Sequence, residues 1–311
     1  MNASDAERLR TQVAQLEFEL QTAKLLLKTV EARSADHLPN VDVHQATRPK
    51  NNYFAVPVSL PLGPSVHNLM LLSDSALPLG SFAYSSGLES FLAHHKPLPE
   101  GGTVLSLFDK FLKLSIQSVA HTNVPYVLAA FRDPLSLMDL DNDLDASTPC
   151  TVARRASIAQ GRALLSIWER ALTKTARQQF LDNGLEAATC VDTFATDLKI
   201  AALSQDSVTV NGHLAPIWGA VCLALGLNLE EAGYLFLLNH AKAVLSAAVR
   251  ASVMGPYMSN SILASQSLQD LVKESLELVW FLQPEDAGQV VPSLDLWVGR
   301  HEMLYSRIFN S

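Results

Sequence analysis

Apolar residues recur every three or four positions along this chain from Val66 onward, the period of an amphipathic α-helix. Helices are predicted over residues 103–131, 151–180, 186–203, 214–227, 229–253, 260–282 and 296–306. Pro125 should kink or break the first of these helices. Only residues 205–211 alternate in the manner of a strand, and that segment is short. The pattern therefore predicts an all-α domain.

Two segments precede this domain. Residues 1–33 carry apolar residues at alternating spacings of four and three, which is typical of a short heptad helix. That helix could pair with another as a coiled coil, or it could fold onto the chain's own core. Residues 34–66 hold five prolines and little periodicity, so they are interpreted as a linker. We expect a single all-α globular domain at residues 67–311.

The composition of the chain limits the classes of function that it can have. The 311 residues are 48% hydrophobic and 17% charged, which allows a sizeable core. A net charge of -8 argues against binding of nucleic acid, which needs clustered lysine and arginine. The N-terminus lacks the early apolar run of a secretory signal peptide, and no two of the three cysteines form a CxxC pair. The most apolar window, residues 215–229, is shorter than a membrane span. We expect a cytoplasmic protein with no membrane segment.

Charge and glycine patterns mark three internal segments. Residues 214–227 and 241–254 are rich in alanine and glycine, so these two helices should pack closely at the centre of the domain. Residues 133–149 hold five aspartates and no basic residue, and are interpreted as a solvated acidic surface loop. This acidic segment does not fit an EF-hand, because the sixth and twelfth positions counted from Asp139 are Leu144 and Cys150.

Motifs for catalysis are missing from the sequence. There is no GxxxxGK[ST] phosphate-binding loop, no GxSxG nucleophile elbow, and no HxxxH pair for a metal. His94 and His95 are adjacent, so on a helix they point about 100° apart. We therefore expect no enzymatic activity, no intrinsic metal site and no cofactor.

Two other segments have the composition of binding surfaces. Residues 71–89, LLSDSALPLGSFAYSSGLE, place flexible glycines, a proline and two aromatic residues between apolar helical stretches. Residues 301–311, HEMLYSRIFNS, crowd charged and aromatic residues into a C-terminal tail. Together with Arg250, the candidate partner-binding residues are Asp74, Pro78, Gly80, Phe82, Tyr84, Gly87, Glu89, His301, Glu302, Tyr305, Ser306, Arg307 and Phe309.

Several of these residues also have structural interpretations. Asp74 could cap a following helix. Phe82 and Tyr84 could fill the core rather than meet a partner, and the tail could pack on its own domain. Arg250 could neutralise a helix C-terminus or line a partner groove.

Four blocks of the sequence resemble the UreF family of urease accessory proteins. They are LLSDSALPLGSFAYSSGLE at 71–89, GHLAPIWGAVCLALGL at 212–227, SAAVRASVMG at 246–255 and HEMLYSRIFNS at 301–311. The order of the blocks matches the family, and the N-terminal extension indicates a eukaryotic-type member. The sequence departs from the family pattern at Ser81, at Tyr84 and over residues 256–260.

The resemblance implies an all-α fold and a non-catalytic role in urease maturation. It implies a homodimer that binds a second accessory protein, UreD (also called UreH), and recruits the nickel-carrying GTPase UreG to apo-urease. Nickel would then be handled by the complex. It also implies that the C-terminal tail becomes ordered when a partner binds. Two alternatives remain: a GTPase-activating factor that inserts Arg307 or Arg250 at the phosphates of UreG, and an all-α scaffold unrelated to urease.

Overall fold

The structure is a computed structural model that describes residues 63–96, 101–179, 183–203 and 210–310. Contacts divide the chain into Met1–Ser59 and Leu60–Ser311, and all described residues belong to the second unit. The heptad helix, most of the linker and most of the strand-like segment 205–211 lie outside the described residues.

Helices account for most of the described chain, and these residues contain no β-strand, so the all-α prediction is confirmed. The α-helices are α1 (Pro64–Ser73), α2 (Leu88–His94), α3 (Val104–Arg132), α4 (Leu137–Ser147), α5 (Thr151–Ile167), α6 (Thr173–Gln179), α7 (Asn183–Leu203), α8 (Leu214–Ala224), α9 (Leu229–Arg250), α10 (Pro256–Leu263), α11 (Gln266–Val279) and α12 (Pro292–Arg300). A π-helical segment, Trp168–Leu172, joins α5 to α6.

The centre of the domain is formed by α8 and α9 packed against α3, as the alanine and glycine content predicts. Residues Ala215 to Cys222 of α8 are all buried. At Gly219 the two backbones come so close that an added Cβ would lie 2.1 Å from the carbonyl oxygen of Val127 on α3. The indole of Trp218 is buried and donates to the carbonyl of Ala232 on α9 at 3.1 Å. The two helices can therefore cross at this distance only if residue 219 is small.

The long helix α3 continues through Pro125, so the predicted break does not occur. Proline has no N–H to donate to the carbonyl four residues earlier, which here belongs to His121. That carbonyl accepts the backbone N–H of Gly288 at 3.3 Å instead. Because a residue from a distant loop satisfies the carbonyl, the helix tolerates the proline.

The predicted helix over residues 260–282 is wrong in its extent, because two helices occupy this region. The first, α10, ends at Leu263, and Ser265 begins the second by accepting the backbone N–H of Leu268 at 3.2 Å. A serine in this position is a common helix N-cap. The predicted 296–306 helix is α12, which starts at Pro292 and ends at Arg300.

The prediction of an acidic surface loop at residues 133–149 is also wrong. Leu137, Leu140 and Leu144 recur at spacings of three and four, and they are buried as the inner face of α4. The aspartates of α4 make specific hydrogen bonds as well. Asp143 accepts a hydrogen bond from the hydroxyl of buried Tyr126 at 2.6 Å. Burial is the larger cause, and this hydrogen bond the second, that raises the pKa of Tyr126 to about 12.

Asp141 is fully buried and anchors the segment that enters α8. Its carboxylate accepts the backbone N–H groups of Asn211 at 2.7 Å, Gly212 at 3.0 Å and His213 at 2.6 Å. A buried carboxylate is tolerated when backbone donors surround it in this way. The acidic segment therefore holds the domain together.

Among the described residues, the helix α9 is long and apolar enough to pass a length and composition test for a membrane span. Within its most apolar window, 61% of the residues are buried inside the domain, which is typical of a core helix.

Candidate functional site

Residues 71–89, which we call the bend, run from the last turn of α1 to the first turn of α2. Asp74 follows the last residue of α1, and its Oδ1 atom accepts the backbone N–H of Ala76 at 2.9 Å. This contact closes a turn two residues long and does not cap a helix N-terminus, so the capping interpretation of Asp74 is wrong. Pro78, four residues further on, is exposed.

The carbonyl end of α1 is held by two side chains of α9. Asn239 Nδ2 donates to the carbonyl of Leu72 at 3.0 Å, and Lys242 Nζ donates to the carbonyl of Ser73 at 2.5 Å. Burial lowers the pKa of Lys242, and the nearby carboxylate of Asp74 partly opposes that effect. The start of the bend is thus fixed to the central helix, since both carbonyls would otherwise lack a partner.

Two glycines give the bend its path. Gly80 has φ +76° and Gly87 has φ +87°, a region that other residues rarely adopt. At Gly87 space is also limited, because an added Cβ would lie 2.9 Å from Val298 Cγ2 and 3.2 Å from the backbone nitrogen of Val298. Gly87 therefore allows α2 to start directly against α12.

Glu89, in the first turn of α2, is the point at which the bend and the tail meet. Its Oε2 atom accepts a hydrogen bond from His301 Nε2 at 2.8 Å. The backbone N–H of Ile308 reaches Oε1 at 2.8 Å, and that of Phe309 reaches Oε2 at 3.3 Å. A further bond joins the N–H of Asn310 to the carbonyl of Ala83 at 2.8 Å. One carboxylate thus binds both ends of the tail.

Arg250, at the end of α9, contacts the bend and the tail together. Its guanidinium donates to the carbonyl of Phe82 and stacks on the ring of Phe309, 4.4 Å from the ring centroid. Its Nε also reaches the carbonyl of Ser246 at 3.4 Å, in the last turn of its own helix. Phe309 is only 5% exposed. The planar guanidinium suits this position because it can stack and donate at the same time.

Most of the remaining side chains of the tail are exposed. Met303, Tyr305, Arg307 and Ile308 are exposed, and we call these four side chains the tail surface. Ser306 is also exposed, and Glu302 makes a surface ion pair with Arg155 at 2.7 Å. Phe82 and Tyr84 are half-buried, between the two interpretations that the sequence leaves open. The tail is thus anchored on the domain through one set of residues and presents another.

Comparisons with known proteins identify the family. The family model for UreF matches residues 107–267, which is more than half of the chain. A protein of Schizosaccharomyces pombe named "Uncharacterized urease accessory protein UreF-like" is 40% identical over 245 residues, 79% of this chain and 97% of the relative. The chain belongs to the UreF family.

Other UreF relatives extend the match to plants and to a second fungus. Urease accessory protein F of Arabidopsis thaliana is 31% identical over 245 residues, covering 77% of this chain and 90% of that protein. Urease accessory protein 6 of Cryptococcus neoformans is 28% identical over 316 residues, covering 81% and 98%. The segment matched by the family model begins after the bend and ends before the tail. The description of these two segments of the UreF protein therefore depends on the contacts given above.

Sequence reasoning named most residues of this UreF site but not all of their contacts. It placed Phe309 among the residues that face a partner, whereas Phe309 is enclosed by its own domain. It missed Val298, which packs against Gly87, and the carbonyl of Ala83, which accepts the N–H of Asn310. The only signal for Val298 is its position on the apolar side of α12. A backbone carbonyl has no sequence signal.

The described residues of this UreF chain contain no group of three or more histidine, cysteine, aspartate or glutamate side chains arranged to hold a metal ion. The three cysteines are free thiols. Burial first, then the charge of Glu231, raises the pKa of the Cys222 thiol well above its ordinary value, so this thiol stays protonated.

Proposed function

We propose that this protein is a urease maturation factor that acts as an adaptor. The anchored tail and bend would bind a UreD/UreH-type accessory protein. The resulting complex would recruit a nickel-carrying UreG-type GTPase to apo-urease. The observation that carries the proposal is the Glu89 carboxylate, which joins the two sequence segments that most resemble binding surfaces. Relatives with the same domain are named urease accessory proteins, and this supports the same process for this chain.

The geometry suits an adaptor because the domain itself holds the tail surface in place, in contrast to the expectation that the tail becomes ordered only when a partner binds. Tyr305 and Met303 are fully or largely exposed, at 107% and 82% of their reference areas, and Ile308 is 63% exposed. Aromatic and apolar side chains of this kind often dominate the energy of an interface. Because Glu89 and Arg250 already fix the backbone on both sides, binding would cost less conformational entropy than ordering a free tail.

The adaptor role requires no catalytic group on this chain. Nickel would be cargo of the assembled complex, with the GTPase supplying hydrolysis of GTP. We further propose that the protein works in the cytoplasm and that it forms a homodimer.

A stricter GTPase-activating role is the second candidate, and Arg307 is the observation that favours it. The side chain of Arg307 is exposed and has no hydrogen-bonding partner among the described residues. Arg250 is less suited to reach a nucleotide, since its guanidinium is already bound to Phe82 and Phe309. An arginine inserted at the phosphates is worth roughly 10³ to 10⁵ in turnover.

Co-purification of the full chain with its partners tests the adaptor role. Ile308→Asp places a charge in the tail surface, and we expect it to lose the UreD/UreH-type protein and with it the GTPase. Leu135→Asp is the matched control, because Leu135 is 72% exposed and lies on the turn before α4. Equal recovery of partners by both variants would contradict the proposal.

Arg307→Lys separates the two candidates. An adaptor keeps the GTPase turnover of the assembled complex, whereas an arginine that acts on the phosphates would lose turnover with the complex intact.

A further inference from the structure

A cavity of about 330 Å³, partly open to solvent, lies directly behind the bend. Its wall is built by residues of α3, α4, α5, α8, α9 and α12, and Ser81, Tyr84 and Ser86 of the bend line one side. This volume is at the lower end of the range for small-molecule sites, about 300–1,000 Å³.

The wall of the cavity is rich in uncharged hydrogen-bonding groups. Hydroxyl, amide and imidazole side chains line it, and neither lysine nor arginine is among the lining residues. Those on α3 and α9 are Ser115, Ser118, Thr122, Asn123, Asn239 and His240. The one lining carboxylate, Asp295, accepts Gln289 Nε2 at 3.0 Å. An anion would leave water without meeting a lysine or arginine on this wall, so the wall disfavours anions.

Pairs of side chains hold the wall in a fixed arrangement. Ser115 Oγ and His240 Nε2 lie 2.8 Å apart, and Ser118 Oγ donates to Gln289 Oε1 at 2.8 Å. Burial lowers the pKa of His240 to about 4, so the imidazole is neutral near pH 7. A hydroxyl has one donor and two acceptor positions, so each serine retains hydrogen-bonding capacity for a ligand.

We propose that this cavity binds an uncharged polyol of about the size of a hexitol. Its hydroxyl groups would exchange hydrogen bonds with Ser115, His240 and the amides of the wall, in place of water. The ligand would touch the bend from inside through Ser81 and Ser86. Occupancy would then stabilise the folded bend, and the stabilisation would grow with the logarithm of the ligand concentration above the dissociation constant. This binding site is independent of the proposed adaptor role.

Three probes with the same carbon skeleton test the proposal on the full-length protein. D-Glucitol is neutral, D-gluconate is an anion and D-glucamine is a cation. Saturation-transfer NMR detects contact with each probe, and calorimetric titration gives its dissociation constant. We expect D-glucitol to bind at least about tenfold more tightly than D-gluconate, because the anion loses its ionic hydration and meets no lysine or arginine on the wall. D-Glucamine also loses ionic hydration but can approach the carboxylate of Asp295, so we expect its dissociation constant to lie between those of the other two probes.

Two serine variants locate the site. Ser115→Ala removes a hydroxyl from the wall, and we expect binding of D-glucitol about three- to tenfold weaker. Ser275→Ala is the control, because Ser275 is equally buried but lies on α11 away from the cavity, and binding should be unchanged. The proposal is overturned by equal binding of D-glucitol and D-gluconate, by no binding of D-glucitol, or by equal effects of the two substitutions.

Discussion

The carboxylate of Glu89 accepts a hydrogen bond from His301 Nε2 at 2.8 Å, although 212 positions of sequence separate the two residues. The imidazole of His301 is fully buried, and among buried side-chain atoms of the described residues its Nδ1 alone has no partner. Because Nδ1 makes no hydrogen bond, the orientation of the ring depends on the hydrogen bond between Nε2 and the Glu89 carboxylate. The same carboxylate binds the backbone at Ile308 and Phe309, so both ends of the tail depend on it.

Glu89→Gln should release the tail. An amide has one acceptor oxygen, and its NH₂ group would face a donor of the tail, so at least one of the three hydrogen bonds is lost. We expect a loss of about 1–3 kcal/mol in local stability. Hydrogen exchange would show this as faster exchange over residues 302–310. Glu302→Gln is the control, because its surface ion pair with Arg155 contributes at most about 1 kcal/mol. Unchanged exchange in Glu89→Gln would show that the carboxylate does not hold the tail.

Arg250→Lys should loosen the bend and the tail together. Lysine keeps the charge but loses the planar group that stacks on Phe309 while donating to Phe82. We expect about 1–2 kcal/mol of destabilisation, with faster hydrogen exchange in both segments.

The control for this substitution is Arg132→Lys. Arg132 also stacks on an aromatic ring, that of Trp280, and donates to the carbonyl of Trp280 at 3.0 Å. It lies on α3, and its loss should leave the exchange of the tail unchanged. If both variants altered the tail equally, the effect would be a general loss of stability.

Two glycine substitutions separate backbone strain from steric contact. Gly80→Ala meets no atom within 4 Å, so its cost is that of a positive φ, about 1–2 kcal/mol. Gly87→Ala adds a collision with Val298, and we expect a further loss of about 1–3 kcal/mol. Guanidinium denaturation of both variants measures the difference. Equal stabilities would mean that α12 does not pack tightly against the start of α2.

His240 should make the domain less stable in mild acid. Burial lowers its pKa from 6.5 to about 4, so between these values the unfolded chain binds a proton that the folded chain does not. The stability is complete above pH 6.5, falls as the pH decreases towards 4, and is lower by about 2 kcal/mol at pH 5. Unfolding free energies of the wild type and of His240→Gln at pH 7.5 and pH 5 test this, since the variant should lose that part of the pH dependence. His67→Gln, at an exposed position, is the control and should keep it.

Local patterns predicted most of the helices, because three- and four-residue spacing reports directly which face is buried. Leu137, Leu140 and Leu144 show the same spacing, but the five aspartates of their segment favour a loop, and the prediction there is wrong. The sequence could not show that Asp141 binds three backbone N–H groups some 70 positions away. For the site, it named Glu89, His301 and Arg250 but not the contacts that each of them makes. Those contacts depend on how α2, α9 and α12 pack, and no local spacing encodes that packing.

The role in urease maturation is tested by the nickel content and activity of urease in cells that lack this protein. We expect inactive, nickel-poor urease that is restored by the full chain and by Leu135→Asp, but not by Ile308→Asp. Active, nickel-loaded urease in the absence of the protein would contradict a role in maturation.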